Sequence, residues 1–260
     1  KTYKYSHYNT FKARHMDICL FVLHMNNKYK NLFVPMEKKD FRLNSLITDK
    51  NLMIQTNDPY SKKNFPFAWF VIWENMDNYF INSELTNLIN SYKENEEYDF
   101  GLIFVQVNLE SGGLHATLLL IDTKNNTIER FDPYGDTSLV DNGIDEIFEE
   151  ELTWNTGLKY LKPSDIMGVA SFQTLSRETD PFKQKSGDFG GYCLAWCMWY
   201  VEHRLMNPKI PPKILIEKTL TKLVNRKESL MEYMRNYANT INKNREKIMK
   251  DIGIPSKIIS

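Results

Sequence analysis

Gly190-Gly-Tyr-Cys-Leu-Ala-Trp-Cys-Met-Trp-Tyr200 is the stretch on which the reading of this chain turns. Two glycines deliver the backbone to Cys193, and the residues that follow are apolar on every side of a helix, the pattern of a buried helix that opens at a thiol. The dipole and the unpaired backbone N–H groups of a helix N-terminus favour a thiolate, the form of cysteine that attacks carbonyl carbon. Cys193 is therefore a candidate nucleophile. A small apolar residue filling a core would look the same in isolation, so the case rests on what lies upstream.

Residues 101–108 (Gly-Leu-Ile-Phe-Val-Gln-Val-Asn) and 114–122 (Leu-His-Ala-Thr-Leu-Leu-Leu-Ile-Asp) have the length and the β-branched and aromatic content of strands. A third, residues 127–135 (Thr-Ile-Glu-Arg-Phe-Asp-Pro-Tyr-Gly), follows a turn at Lys124-Asn125-Asn126, which makes an antiparallel hairpin. His115 opens one hairpin strand and Asp132 closes its neighbour. Antiparallel strands bring those two positions to the same sheet edge, close enough for a carboxylate to orient an imidazole. Residues 168–175 read as a further strand, which places Gln173 near the end that feeds the loop before Cys193.

The remaining segments carry no chemistry. Residues 18–23 and 31–35 read as strands of a small accessory region, and Trp69 and Trp73, four residues apart, are spaced to share one helical face, in the core or, as the alternative, as an aromatic wall beside a substrate groove. A helix is expected from Asn82 or Ser83 to about Lys93, and another between Asp141 and Trp154 whose Glu149-Glu150-Glu151 is solvated. Pro211-Pro212 opens a tract with Leu220, Leu223, Val224, Leu230, Met231, Met234, Tyr237 and Ile241 at helical spacing. The expected organisation is an accessory region over residues 1–60, a core over 61–210 and a C-terminal helical extension over 211–260 packed on that core.

Composition excludes several classes. The 260 residues carry 33 lysines and arginines against 33 aspartates and glutamates, so no net field draws the chain to nucleic acid or to an acidic membrane. Three cysteines, Cys19, Cys193 and Cys197, are too few for a disulfide framework and point to a reducing, cytoplasmic setting. No apolar run is long enough to suggest a membrane span or a signal peptide. Cys197 falls one turn after Cys193 and reads as core; His203 falls about 80° round the helix and roughly 15 Å along it, which argues against a zinc site. No metal or cofactor is expected.

The order His115, Asp132, glutamine, Cys193, with Asp132 seventeen residues after His115 in Phe-Asp-Pro-Tyr-Gly, resembles the cysteine proteases of the adenovirus-protease and SUMO-protease superfamily over roughly residues 100–207. The phrase Gly-Asp-Phe-Gly-Gly-Tyr-Cys-Leu-Ala-Trp-Cys-Met-Trp-Tyr also resembles thiol-protease-like proteins of large DNA viruses of protists. The resemblance implies an α+β fold, papain-like in superfamily, with a central mixed sheet, a buried helix bearing the nucleophile and helices outside. It implies His115 as general base and acid, Asp132 as its orienting carboxylate, Cys193 as nucleophile and a glutamine amide beside the Cys193 N–H in the oxyanion hole. Here the sequence departs from the family. The usual glutamine slot, five or six residues before the cysteine, is occupied by Ser186-Gly187-Asp188. Gln173 is preferred for that role because a strand end is held more firmly than a polar loop, with Gln184 as the alternative. The implied substrate is a protein with small residues before the scissile bond (Gly-Gly or Gly-X-Gly): ubiquitin, a ubiquitin-like modifier or a viral structural polyprotein. Acetyl transfer by the same triad and a catalytically inactive binding module are the competing classes.

Overall fold

The computed structural model describes residues 15–35, 68–110, 112–136, 143–167, 171–176, 192–225 and 229–251. Along the chain its elements are α1 (His15–Lys28), β1 (Leu32–Phe33), β2 (Phe70–Asn75), β3 (Asn78–Phe80), α2 (Leu85–Lys93), β4 (Phe100–Asn108), β5 (Leu114–Asp122) and β6 (Thr127–Phe131). They continue with α3 (Ile144–Thr153), β7 (Lys159–Leu161), α4 (Pro163–Met167), α5 (Phe172–Ser176), α6 (Cys193–Met206), α7 (Pro212–Val224) and α8 (Leu230–Asp251).

The strands form one mixed sheet in the order β3-β2-β4-β5-β6-β7, with β1 paired to β4 beside β2. β4 and β5 pair antiparallel along their whole length, from Phe100 opposite Asp122 to Asn108 opposite Leu114. The β5–β6 hairpin turns where expected: Asn126 takes φ 57, and the Asp122 carboxylate accepts the Asn125 backbone and side-chain N–H groups at 2.9 and 2.8 Å. Asparagine tolerates that left-handed backbone, which a β-branched residue would not. β1 and β2 run parallel to β4 and β7 runs parallel to β6, while β3 pairs antiparallel with β2. β7 and its short neighbour α4 have no counterpart in the sequence reading.

Period-two alternation sends the strand residues into two cores. Phe70, Leu102, Phe104, Leu118, Leu120 and Phe131 pack with α1, α6, α7 and α8 on one face. Val71, Trp73, Ile103, Val105, Leu119, Ile121 and Ile128 pack with α2 and α3 on the other. A sheet covered on both faces needs continuous apolar strands, which is why β4 and β5 show no polar face. The architecture is therefore α+β with a central mixed sheet, and α6, buried from Leu194 to Val201, lies within one of the flanking layers.

Four local expectations are corrected. Residues 18–23 belong to helix α1 and not to a strand. Ile18 to Val22 are all buried, and a continuous apolar run of that length carries neither the helical nor the strand period, so its neighbours decide. The Asp17 carboxylate at the start of this helix accepts from the α8 residue Arg245 at 2.7 Å. Of residues 31–35 only Leu32–Phe33 are strand, pressed so close to β4 that a Cβ on Gly101 would stand 2.3 Å from the Phe33 ring. Trp69 and Trp73 are core residues but share no helical face: Trp69 lies in a turn and Trp73 in β2, and they enter opposite cores. Among the α7 residues expected inward, Val224 is 61% exposed. The boundary near residue 60 lies outside the described residues.

Candidate active site

The Asp132-Pro133-Tyr134-Gly135 segment is a turn built on its own first side chain. Asp132 Oδ1 accepts the Tyr134 backbone N–H at 2.9 Å, the Asp132 carbonyl accepts from Gly135 at 2.8 Å, and Gly135 takes φ 71, where a side chain would be strained. The aspartate thus terminates β6 and is fixed in one orientation by the same bond.

That orientation faces β5. His115 Nε2 lies 2.8 Å from Asp132 Oδ1, with the imidazole 3% exposed and the carboxylate fully buried. The Tyr134 ring lies against the imidazole at 4.8 Å between centroids. With Nε2 committed to Asp132, Nδ1 is the nitrogen left for the thiol, and Cys193 stands close enough to the imidazole to act on its charge. Cys193 opens α6, is half-buried and follows Tyr192, which makes no side-chain cap bond to the helix. Three residues from β5, the β6 turn and the start of α6 therefore meet at one end of the sheet.

The electrostatics agree with the geometry. Burial pushes the imidazole toward its neutral form, but the Asp132 charge and hydrogen bond, joined by Cys193, outweigh it and hold His115 up at about 10 against an ordinary 6.5. Burial likewise raises the Asp132 carboxyl, yet His115, Arg130 and the Tyr134 N–H together hold it below its ordinary 3.8. A neutral-pH site with a charged imidazolium beside a carboxylate follows. The stabilisation due to the raised His115 is complete below about pH 6.5 and is lost as pH rises toward 10; that due to the lowered Asp132 is lost as pH falls below about 3.8. The difference in Tm between wild type and Asp132→Asn is accordingly expected to be largest between about pH 4 and 6.5 and to shrink steadily toward pH 10. A difference that grows over that upper range contradicts the charge assignment.

Cys197 is core, as its place one turn along α6 suggested. It is fully buried, its Sγ donates to the Ala116 carbonyl at 3.3 Å, and burial pushes its thiol well above the ordinary 9.0. His203 stacks on Trp199 at 4.2 Å, with Nδ1 2.9 Å from the Trp199 carbonyl oxygen.

Gln173 requires a correction. It does not sit on a strand: residues 172–176 form the short helix α5, because Ser171 caps it, its Oγ accepting the Thr174 N–H at 3.2 Å. The Gln173 side chain is buried, and its backbone N–H donates to the Pro133 carbonyl at 3.1 Å, while Ser171 Oγ donates to the same oxygen at 3.0 Å. α5 is thereby clamped to the turn that holds Asp132. Gln184, Ser186-Gly187-Asp188 and Gly190-Gly191 lie outside the described residues.

The sequence reading missed Arg130. It lies on β6 two residues before Asp132, on the same face, and its Nη1 donates to Asp132 Oδ2 at 3.1 Å. The signal was present as the alternation Ile128, Arg130, Asp132 on one face of a buried strand, a position where a charge needs a partner.

No protein-family model matches the chain. It is 22% identical over 261 residues to a putative ankyrin repeat protein of Acanthamoeba polyphaga mimivirus, an alignment covering 95% of this chain and 33% of that protein. The chain thus spans about a third of the length of the curated relative it matches. Among solved structures it is similar to ChlaDub1 from Chlamydia trachomatis (TM-score 0.41, 10% identity, 90% of this chain and 91% of that one). It is also similar to the Chlamydia trachomatis effector protein Cdu1 bound to ubiquitin (TM-score 0.42, 12% identity, 93% and 95% coverage). Likeness at this level fixes neither an activity nor a substrate.

Proposed function

We propose that the protein is a cysteine peptidase that cleaves amide or isopeptide bonds after small residues, with ubiquitin or a ubiquitin-like modifier as its substrate class. The observation that carries this reading is the buried His115–Asp132 pair at 2.8 Å with the Cys193 side chain beside the same imidazole. In the forward step the Cys193 thiolate attacks the scissile carbonyl carbon, and the carbonyl oxygen takes up negative charge. The Cys193 backbone N–H at the start of α6 donates to that oxygen, and the Gln173 amide is assigned as the second donor. The His115 imidazolium then protonates the departing amine as the C–N bond breaks, leaving a thioester on Cys193. A water molecule, deprotonated by the now neutral imidazole, attacks the thioester and releases the acid, the thiolate and the imidazolium. Asp132 holds the ring in the tautomer both steps need.

The substrate assignment follows the family resemblance in the sequence, whose narrow groove suits Gly-Gly ends. Turnover of ubiquitin, SUMO and NEDD8 carrying a C-terminal aminocoumarin amide tests it. Release of aminocoumarin from at least one of them, absent in Cys193→Ala, is the expected result. Cleavage of Gly-X-Gly peptides alone would move the substrate class to a structural polyprotein, and cleavage of neither overturns the peptidase reading. Gln173→Ala is expected to lower kcat by about 10²-fold with little change in KM; an unchanged kcat removes Gln173 from the oxyanion hole and leaves Gln184 as the candidate.

A further inference from the structure

The three residues of the proposed site do not account for the charge buried behind them. Arg130 is 3% exposed. Its Nη1 reaches Asp132 Oδ2 at 3.1 Å, and its Nε and Nη2 form a fork on the Asp145 carboxylate at 2.6 and 2.8 Å. Asp145 belongs to the first turn of α3 and is itself buried; it accepts the Tyr160 hydroxyl of β7 at 2.7 Å. An unbroken line of hydrogen bonds therefore runs from β7 and α3 through Arg130 to Asp132 and His115.

Resting on the peptidase reading above, we propose that Arg130, locked by Asp145 and Tyr160, is a positioning residue of the active site that holds the Asp132 carboxylate ionised and in one rotamer while His115 gains and loses its proton. The chemistry demands such a group. Asp132 is fully buried, and an ionised carboxylate away from water needs compensation. His115 supplies it only while protonated. Once the imidazolium has given its proton to the departing amine, Asp132 would face a neutral ring as a lone buried anion, and that transfer would be resisted. Arg130 keeps the carboxylate compensated in both states, because a guanidinium does not lose its proton. The fork on Asp145 and the Tyr160 bond stop Arg130 from turning away, since a bidentate arginine–carboxylate pair fixes both planes. The other groups near Asp132 are the Tyr134 N–H from its own turn and, from α6, the buried Cys197, with Cys193 beside His115. Neither cysteine can replace the positive charge.

The test reads Cys193 directly, without any substrate. Its rate of alkylation by iodoacetamide is measured at pH 8 and pH 5, with the modified site mapped by mass spectrometry, in wild type, Asp132→Asn, Arg130→Lys and the triple variant Arg130→Met, Asp145→Leu, Tyr160→Phe. The triple variant removes one charge of each sign and the hydroxyl that bonded them, so its interior stays balanced. Without Arg130, Asp132 takes up a proton at higher pH and the imidazolium loses its counter-ion. The pH 8 to pH 5 rate ratio is expected to rise over wild type by about tenfold in the triple variant and in Asp132→Asn, which corresponds to a shift of about one pH unit. Arg130→Lys, which keeps the charge but not the fork, is expected to rise less than about threefold, a graded rescue that general loosening of the fold would not produce. A raised ratio in Asp132→Asn with a wild-type ratio in the triple variant overturns this inference and leaves the peptidase reading standing. A wild-type ratio in Asp132→Asn overturns both. Should the triple variant fail to fold, Tyr160→Phe and Arg130→Lys carry the test, and ratios equal to wild type in both overturn the inference.

Discussion

Replacing Cys193 by alanine is expected to abolish turnover, with kcat/KM reduced about 10⁴-fold or more, and replacing His115 by alanine is expected to do nearly the same. The two side chains act as one unit, because the thiol lies beside the imidazole that exchanges its proton. Their effects are therefore non-additive, and the double variant should be no worse than either single one. Cys197→Ala is the internal control. That thiol is fully buried against the Ala116 carbonyl, so its loss should cost about 1 kcal/mol of stability and leave most of the activity. Kinetic constants on a ubiquitin C-terminal aminocoumarin amide, with urea denaturation of each variant alongside, separate the two outcomes. Comparable losses of activity in Cys193→Ala and Cys197→Ala at equal stability would remove the distinction between nucleophile and core.

The largest loss of stability is expected from Arg204→Met. This guanidinium is completely buried in the last turn of α6 and reaches across to the sheet: Nε and Nη2 bond the Glu129 carboxylate at 2.9 and 2.7 Å, Nη2 also bonds Asp122 at 2.9 Å, and Nη1 bonds the Ile210 carbonyl at 3.0 Å. Tyr200 adds its hydroxyl to Glu129 at 2.6 Å. Methionine fills a similar volume, so packing changes little, but two carboxylates that are 1% exposed lose their counter-charge. Breaking a buried ion pair from one side costs about 3–5 kcal/mol. The comparison is Lys28→Met, whose pair with Glu202 is open to water at 43% and 22% of the two side chains and should matter by less than about 1 kcal/mol. Urea unfolding midpoints measure both; equal shifts would mean that the buried network does not anchor α6. The consequence for the site is direct, because the helix pinned at Arg204 carries Cys193 at its other end.

Much of the centre of this fold is written in local sequence. The strands β4, β5 and β6 were legible because apolar segments of strand length bounded by turn residues leave little other use for them, and the asparagine turn set the β5–β6 register. That hairpin brings His115 and Asp132 to the same end of the sheet, and the Asp132 turn aims its carboxylate at the ring. Less was legible where partners are distant. Residues 18–23 carry no period of their own, and only burial between the sheet and α8 makes them helical. Ser171 was read as a strand residue although its hydroxyl caps a five-residue helix, and that error misplaced Gln173. β7 has three residues, too few to leave a pattern. Arg204 meets Glu129 and Asp122 across 75 and 82 residues, and Arg130 meets Asp145 across fifteen. Nothing local announces such pairs, since a charged residue in an apolar segment says only that a partner exists.

Cys193 as the nucleophile of a His115–Asp132 pair acting on a modifier's C-terminal glycine is open to direct test. The most direct measurement is covalent capture: incubation with ubiquitin, SUMO and NEDD8 bearing a thiol-reactive group in place of the C-terminal carboxylate, followed by mass-spectrometric mapping of the adduct. One adduct is expected, on Cys193, formed with at least one modifier and slowed strongly in His115→Ala. An adduct on Cys19 or Cys197, an adduct on Cys193 whose rate is indifferent to His115, or no adduct with any of the three would contradict it.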